Sequence, residues 1–507
     1  MECILGIDVG TSNVKAVLFD GNGTEVQVAS RESETINDGG NWEEQDMLLV
    51  WDKVKSCIKE LIDSGAVKSE EIKGIGVTGQ GEGCWLIDEE GNPVQNAILW
   101  CDGRAVAEVK RITEEYPEIG KLYHKTTGTP PLLGNQMILI RWMKTNRKEV
   151  LDKASRIMFC KDWVRYKMTG VIATEITDSF TSLLDAQTGN VADELMKAMD
   201  IYEYRDYIPA SVSSDSVVGT ISEEFAAWSG LAAGTPVIAG ALDTSATAVG
   251  LGAIHEKDAC VILGTTCASE IVMKKTDCKF GAENSRYEKH PIEDLYVELQ
   301  PTLNGTPNID WMLENMAQTK DFNEIDRIVE SVPVGCGGVV YHPYISVAGE
   351  RAPFYHPYAR ASFFGISQVT TRNQLIRAVY EGISLSIRDC LQNKDATIYL
   401  AGGGAKSPVW AQMIADVMGR RVMIPQGKEL GAKGVAIIAG VKFGLYGSYE
   451  EAVKKACTFR QTYEPNLQRT KKYDLLYELF RQVRLHNQQI WDYRHQMNKK
   501  IQAIKED

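Results

Sequence analysis

The chain has 507 residues, 44% of them hydrophobic and 24% charged, a length that favours two domains of about 250 residues each and a composition typical of a soluble globular protein. Its net charge of −13 argues against nucleic acid or an anionic membrane as partner, because both would be repelled over much of the surface. Eleven cysteines with no CxxC pair, seven histidines without metal-ligand spacing, and no signal-type N-terminus or 18-residue apolar run exclude a disulfide scaffold, a protein-ligated zinc site and a membrane span, and make a cytoplasmic location the expectation.

Near the start, ILGIDVGTSNVKAVLFDGNG predicts an apolar strand carrying one carboxylate, Asp8, a Gly-Thr-Ser turn from Gly10 to Ser12, a second apolar strand and an Asn-Gly turn. Backbone N–H groups and hydroxyls beside a carboxylate suit a phosphate and its Mg²⁺, so a nucleoside triphosphate is the ligand suggested. The alternative is an ordinary β-hairpin whose Asp ends a strand. No GxxxxGK[ST] occurs, and the glycine turn leads into a strand, so neither a Walker A loop nor a Rossmann fingerprint applies.

From Gln45 to Ser64, Leu48, Trp51, Val54, Ile58, Leu61 and Ile62 fall at helical spacing. EIKGIGVTGQGEGCWLID predicts a strand, a glycine-rich turn at Gly79 to Gly83 and another strand. The stretch from Pro117 to Gly134, rich in Thr, Gly and Pro, predicts a loop before a helix that contains Ile138, Ile140, Trp142 and Met143. LAAGTPVIAGALDTSATAVGLGA, from Leu231 to Ala253, predicts a strand that delivers Asp243 to a run of small residues, which allow close packing or close ligand approach. A boundary near Gly252 divides the chain into domains 1–251 and 252–507.

DACVILGTTCASEIVM, from Asp258 to Met273, repeats the order strand, Gly-Thr-Thr turn (Gly264 to Thr266), strand. Two phosphate-type hairpins in one chain fit a duplicated fold that holds a nucleotide from both sides. That weighs against the ordinary-hairpin reading. Beyond lie the apolar VGCGGVVYHPYISVAGERAPF, a helix from about Arg372 to Leu391, the strand TIYLAGGG and a helix after Ser407. From Thr470 onward Tyr473, Leu476, Phe480, Val483, Ile490 and Trp491 predict a long helix packed on its own domain, with homodimerisation as the alternative.

Taken in order, GIDVGTSNVKAVLFD, VTGQGEGCWLID, ILWCDGRA, CKDWVRYKMTG, VIAGALDTSATAVG, ILGTTCASE, GERAPFYHPYARASFFGIS, LAGGGAKSPVWAQMIADVMG and LGAKGVAIIAG resemble the FGGY carbohydrate kinases, most of all xylulokinase-like members. The resemblance covers essentially the whole chain. It implies an α/β fold of two ribonuclease H-like domains, of the actin/Hsp70/hexokinase ATPase type, around a central cleft. It also implies ATP-dependent phosphorylation of a hydroxyl on a small sugar or polyol, foremost a ketopentose such as xylulose. An alcohol is too weak an acid to attack phosphorus unaided, so a carboxylate within hydrogen-bond reach must receive its proton. In the resemblance that base is Asp243; an Asp that merely caps a neighbouring helix is the other reading.

By the same resemblance Asp8 holds Mg²⁺ through water, Thr11 and Ser12 form the first phosphate loop and Thr265 belongs to the second. Gly403 and Gly404 match the turn on which adenine rests, where the missing side chains let a purine approach the backbone. Lys15 and Asp310 match further nucleotide contacts, Lys15 having the alternative of a surface strand residue. At the sugar loop, formed by Gln80, Gly81 and Glu82, this chain departs from the xylulokinase pattern. Gly81 and Glu82 stand where such members have Met-His, and Thr244 follows Asp243 where Asn is frequent. The Gly-acidic-Gly loop resembles erythritol-kinase-like members, and L-xylulose kinase-like members also vary here. A carboxylate accepting from vicinal hydroxyls suits an open-chain polyol or ketose, so a tetritol or pentitol is the alternative acceptor. A Glu82 on an exposed turn without a substrate role is the bland reading. From another class, an actin- or Hsp70-like non-metabolic ATPase competes, and the lack of an appended peptide-binding segment weighs against it.

Overall fold

The computed structural model describes residues 1–37, 39–391 and 397–504. They fall into two compact units, one built from Met1–Ile254, Met273–Glu298 and Gly427–Thr458, the other from His255–Val272, Leu299–Gln426 and Phe459–Asp507.

In the first unit the strand Cys3–Val9 is buried at every position but Asp8, as a strand must be when both faces of its sheet are covered. It pairs antiparallel with Asn13–Asp20 and parallel with Ile72–Gly79. The sheet runs Val217–Thr220, Pro236–Ile238, Ile72–Gly79, Cys3–Val9, Asn13–Asp20, Glu25–Glu32, with the short strand Ala241–Leu242 also on Ile72–Gly79. The helix Met47–Asp63 packs Val50, Val54, Ile58 and Leu61 onto it. Asp46 starts that helix by accepting from the N–H groups of Leu48 and Leu49.

The second unit repeats the plan. Its hairpin Ala259–Leu263 and Cys267–Lys274 is antiparallel; the pairing then runs parallel from Ala259–Leu263 to Ile398–Ala401 and on to Val422–Pro425, and antiparallel to Phe459–Tyr463. The helices Arg372–Leu391 and Pro408–Met418 cover it through Ile376, Ile383, Trp410 and Ile414. The helix Leu467–Ala503 lies on the same unit through Tyr473, Leu476 and Phe480, the Tyr473 hydroxyl donating to Glu381 at 3.1 Å. No helix among the described residues is long and apolar enough to cross a membrane.

Two stretches differ from the local expectation. Where the Thr, Gly and Pro content from Pro117 to Gly134 predicts a loop, Pro117–Thr127 is a helix. Apart from Gly120, those residue types sit at its ends: Pro117 occupies the first turn, where a missing N–H is harmless, and Gly128 closes the helix in the left-handed conformation at φ 73°. The stretch from Leu231 to Ala253 is not one strand but two short ones, Pro236–Ile238 and Ala241–Leu242, followed by the helix Asp243–Leu251. That helix crosses Leu430–Lys442 at glycines. A Cβ on Gly434 would lie 1.8 Å from the Ala246 carbonyl oxygen, and one on Gly250 would lie 2.0 Å from that of Leu430. The small-residue run thus serves backbone-to-backbone packing beneath Asp243.

Candidate active site

Adjacent parallel strands end together, and their ends carry the carboxylates. Asp8 and Ala241 are both register partners of Thr78, which places Asp8 and Asp243 at the carboxyl edge of the sheet, two strand spacings or roughly 10 Å of backbone apart. Ligands of open α/β sheets bind at such edges. Asp8 faces Lys15 across the hairpin, and Lys15 Nζ is 2.6 Å from Glu429 Oε2. Burial pushes the Asp8 carboxyl up to about 6, with Lys15 opposing and Glu429 adding to the rise.

Asp243 is the first residue of its helix. Its Oδ1 accepts from the Thr244 N–H at 2.7 Å, leaving Oδ2 without a partner among the described residues. Burial first and the Asp8 charge second push its carboxyl up to about 8, the Thr244 N–H pulling the other way and Asp178 and Glu288 contributing smaller rises. The Thr244 hydroxyl donates to Glu288 Oε2 at 2.8 Å.

The loop from Gln80 to Glu82 is held from beneath. A Cβ on Gly81 would lie 1.8 Å from Leu242 Cδ1 and 2.8 Å from Asp178 Oδ1, so a larger residue there would have to displace the Leu242 side chain. Glu82 takes φ 56°, and its N–H donates to Asp178 Oδ1 at 3.3 Å. Its side chain is buried rather than displayed on an exposed turn, with 8% of the residue accessible. Asn135 Nδ2 donates to Glu82 Oε1 at 3.1 Å, and Arg286 Nη2 stands 3.6 Å from the same oxygen. Burial raises the Glu82 pKa, Arg286 opposing and Glu288 reinforcing.

Gln80 turns toward the first hairpin. Its Oε1 accepts from the Thr11 hydroxyl at 3.0 Å and its Nε2 donates to Gln45 at 2.7 Å, while Trp100 Nε1 donates to Thr11 Oγ1 at 3.1 Å. Ser12 is exposed in the turn. Under the loop lies a buried ion cluster: Lys161 Nζ is 2.5 Å from Asp178, 3.2 Å from Asp162 and 3.4 Å from Glu175, every side chain fully inaccessible. Three carboxylates keep Lys161 charged despite its burial. Asp178, sharing the cation with two other anions, is pushed up to about 7 chiefly by burial. Glu175 Oε2 also accepts from the Thr177 hydroxyl, whose oxygen in turn accepts from the Leu242 N–H at 2.8 Å. The cluster therefore fixes both the loop from Gln80 to Glu82 and the strand that presents Asp243.

The second unit holds Thr265, Asp310, Gly403 and Gly404. Thr265 is exposed at the tip of its hairpin turn, which the Gly264 N–H to Thr266 carbonyl bond closes at 2.9 Å and the Thr306 N–H grips at 2.7 Å through Gly264. Asp310 is exposed in the first turn of the helix Pro307–Asn315. Gly403 is open, with nothing within 4 Å of a Cβ built there, whereas one on Gly404 would lie 2.4 Å from Leu263 Cδ2. Gly404 thus serves packing of the turn onto the sheet, and Gly403 leaves its surface clear.

Five residues at the candidate site lie outside the candidates that the sequence offers: Asn135, Lys161, Asp178, Arg286 and Glu288. Arg286 and Glu288, two apart beside a tyrosine, carry the period-2 signal of one strand face. Lys161, Asp162 and Arg165 read as the polar face of a helix, yet all three are inaccessible.

The chain matches the model of the N-terminal domain of the FGGY family of carbohydrate kinases over residues 3–250 and that of the C-terminal domain over residues 259–443. It is 30% identical to the erythritol kinase of Brucella abortus (strain 2308) over 97% of each chain, and 28% identical to the xylulose kinase of Bacillus subtilis (strain 168) over 97% of this chain and 98% of that one. Among solved structures, the ligand-bound xylulose kinase from Lactobacillus acidophilus superposes with a TM-score of 0.87 at 23% identity, covering 96% of this chain and 98% of that one. The likeness bears out the expected α/β fold of two ribonuclease H-like domains of the actin/Hsp70/hexokinase type.

Proposed function

This chain belongs to the FGGY family of carbohydrate kinases and phosphorylates a carbohydrate hydroxyl at the expense of ATP; on that premise we propose that Asp243 is its general base and that the acceptor is a neutral ketopentose of the xylulose type, bound by Gln80, Gly81, Glu82 and Thr244. The observation that carries this is the state of Asp243. One oxygen is fixed by the Thr244 N–H, the other has no partner among the described residues, and burial beside Asp8 pushes the carboxyl up to about 8. A base poised near the working pH takes a proton most effectively. Oδ2 removes the hydroxyl proton as the acceptor oxygen bonds to the γ-phosphorus. The bond from phosphorus to the bridging oxygen breaks, and ADP leaves.

For Mg²⁺, the residues fit. Asp8 has no side chain crowding Oδ2, since Gly431 faces it and a Cβ there would come within 2.8 Å, and its charge adds to that of Asp243. A cation would relieve both. Among the described residues no group of three or more His, Cys, Asp or Glu forms a cage, which suits an ion that keeps several waters and uses one or two carboxylates with the substrate phosphates. When bound, Mg²⁺ neutralises charge on the transferring phosphoryl group. Thr11, Ser12, Lys15, Thr265, Asp310 and Gly403 are the proposed nucleotide contacts, with Gly404 shaping the turn.

Glu82 favours a second reading, an erythritol-type tetritol or a pentitol, because a carboxylate accepts from two hydroxyls where an imidazole accepts from one. ATP consumption measured over D-xylulose, L-xylulose, erythritol, ribitol and glycerol separates the two. A ketopentose should give the highest kcat/KM; if no ketopentose or polyol raises ATP consumption above background, the proposal is wrong.

A further inference from the structure

Arg286 precedes the short strand Tyr287–Lys289, in a segment that packs with the first unit although it follows the second hairpin in sequence. Its guanidinium stands between two carboxylates, 3.6 Å from Glu82 Oε1 and 3.7 Å from Glu288 Oε1. Both separations exceed hydrogen-bond length. Among the described residues Arg286 makes no side-chain hydrogen bond, and its Nε is a buried donor without a partner. A buried, unpaired donor on a charged group is costly and calls for an explanation. The carboxylates are only partly used: Glu82 Oε1 accepts from Asn135 and Glu288 Oε2 from Thr244, leaving Glu82 Oε2 and Glu288 Oε1 available.

We propose that Arg286, with Glu288 behind it, is the specificity-determining residue of the acceptor site, donating to acceptor oxygens other than the one that Asp243 deprotonates. The inference rests on the reading of Asp243 and Glu82 as the acceptor site. Free N–H donors interleaved with free carboxylate oxygens match a ligand whose neighbouring groups each donate and accept, which is a vicinal diol or an α-hydroxy ketone. One guanidinium faces two carboxylates, Glu82 and Glu288, beside the buried Asp243, so an acceptor bearing a carboxylate of its own is disfavoured. The two residues reach the site through Thr244, whose hydroxyl bridges Glu288 to the residue next to the base.

The test is steady-state kinetics of Arg286→Gln and Arg286→Lys, with KM for acceptor and for ATP and kcat determined separately for the best acceptor found with the wild-type enzyme. Loss of hydrogen bonds from a charged group should raise acceptor KM in Arg286→Gln by roughly 10- to 150-fold with ATP KM unchanged. Arg286→Lys keeps the charge but not the planar fork, and should recover only part of the loss. A merely structural role would lower melting temperature and leave acceptor KM alone. An unchanged acceptor KM in both variants, with Asp243→Asn inactive, overturns the role of Arg286 and leaves the site reading standing; if the wild-type enzyme phosphorylates no acceptor, both fall together.

Discussion

Replacing Gly434 by Ala tests whether the helix crossing beneath Asp243 positions the chemistry. The added Cβ would sit 1.8 Å from the Ala246 carbonyl oxygen, where real Cβ contacts stay above 3.0 Å, so the helices Asp243–Leu251 and Leu430–Lys442 must part by at least about 1.2 Å. Neither partner can rotate away, because both contacting groups are backbone. The first helix begins with Asp243, while the second starts beside Glu429, the partner of Lys15, and carries Gly431 against Asp8. Parting them therefore moves Asp243 relative to Asp8. Overpacking of this kind costs about 1–3 kcal/mol, and a misplacement near 1 Å lowers turnover by about 100-fold. Thermal unfolding and kcat at saturating substrates read the two effects. Gly21→Ala is the control, since its Cβ would meet only Leu445 Cδ1 at an ordinary 3.7 Å. A Gly434→Ala enzyme with wild-type melting temperature and wild-type kcat would show that the helix crossing does not position Asp243.

Other outcomes follow from the charges. Native Asp243 keeps its proton up to about 8, whereas in the unfolded chain it is released near the ordinary 3.8. The native state thus binds more protons in that window, and stability falls as pH rises through it. Asp243→Asn should therefore melt at a higher temperature than wild type above pH 8, an advantage that shrinks to nothing on acidification to about pH 4; equal melting curves at both ends would show an unstrained carboxyl. Lys161→Met leaves Asp162, Glu175 and Asp178 without their shared cation, and denaturant titration should show a loss of about 3–5 kcal/mol. Glu82→Ala should lower kcat/KM for the acceptor by roughly 5- to 150-fold while ATP affinity holds, and no change for any acceptor would mean that the loop does not read the substrate.

Much of the scaffold is visible in the amino-acid order because its signals are local. An apolar strand interrupted only by Asp8, a glycine turn and a second strand read directly as a hairpin, and the same pattern recurs around Gly264. Helices with a clear apolar stripe, such as Met47–Asp63 and Arg372–Leu391, are equally plain. Pro117–Thr127 is hidden because its breakers act as caps, a distinction that depends on their position and not on composition. The site is legible only where motif and resemblance overlap, as at Asp8, Asp243 and Glu82. Arg286 and Glu288 come to Glu82 and Thr244 from far along the chain, and no periodicity links them. Gln80 is marked by the loop motif, but the bonds of its amide to Gln45 and Thr11 depend on side chains distant in sequence and have no local signal.

Turnover of Asp243→Asn with Mg-ATP and the best acceptor tests directly whether Asp243 is the proton acceptor. The amide keeps the size and the Thr244 N–H bond but cannot take the proton, so kcat should fall by roughly 10²- to 10⁴-fold with nucleotide affinity unchanged. A folded Asp243→Asn enzyme that turns over at the wild-type rate would place the base elsewhere.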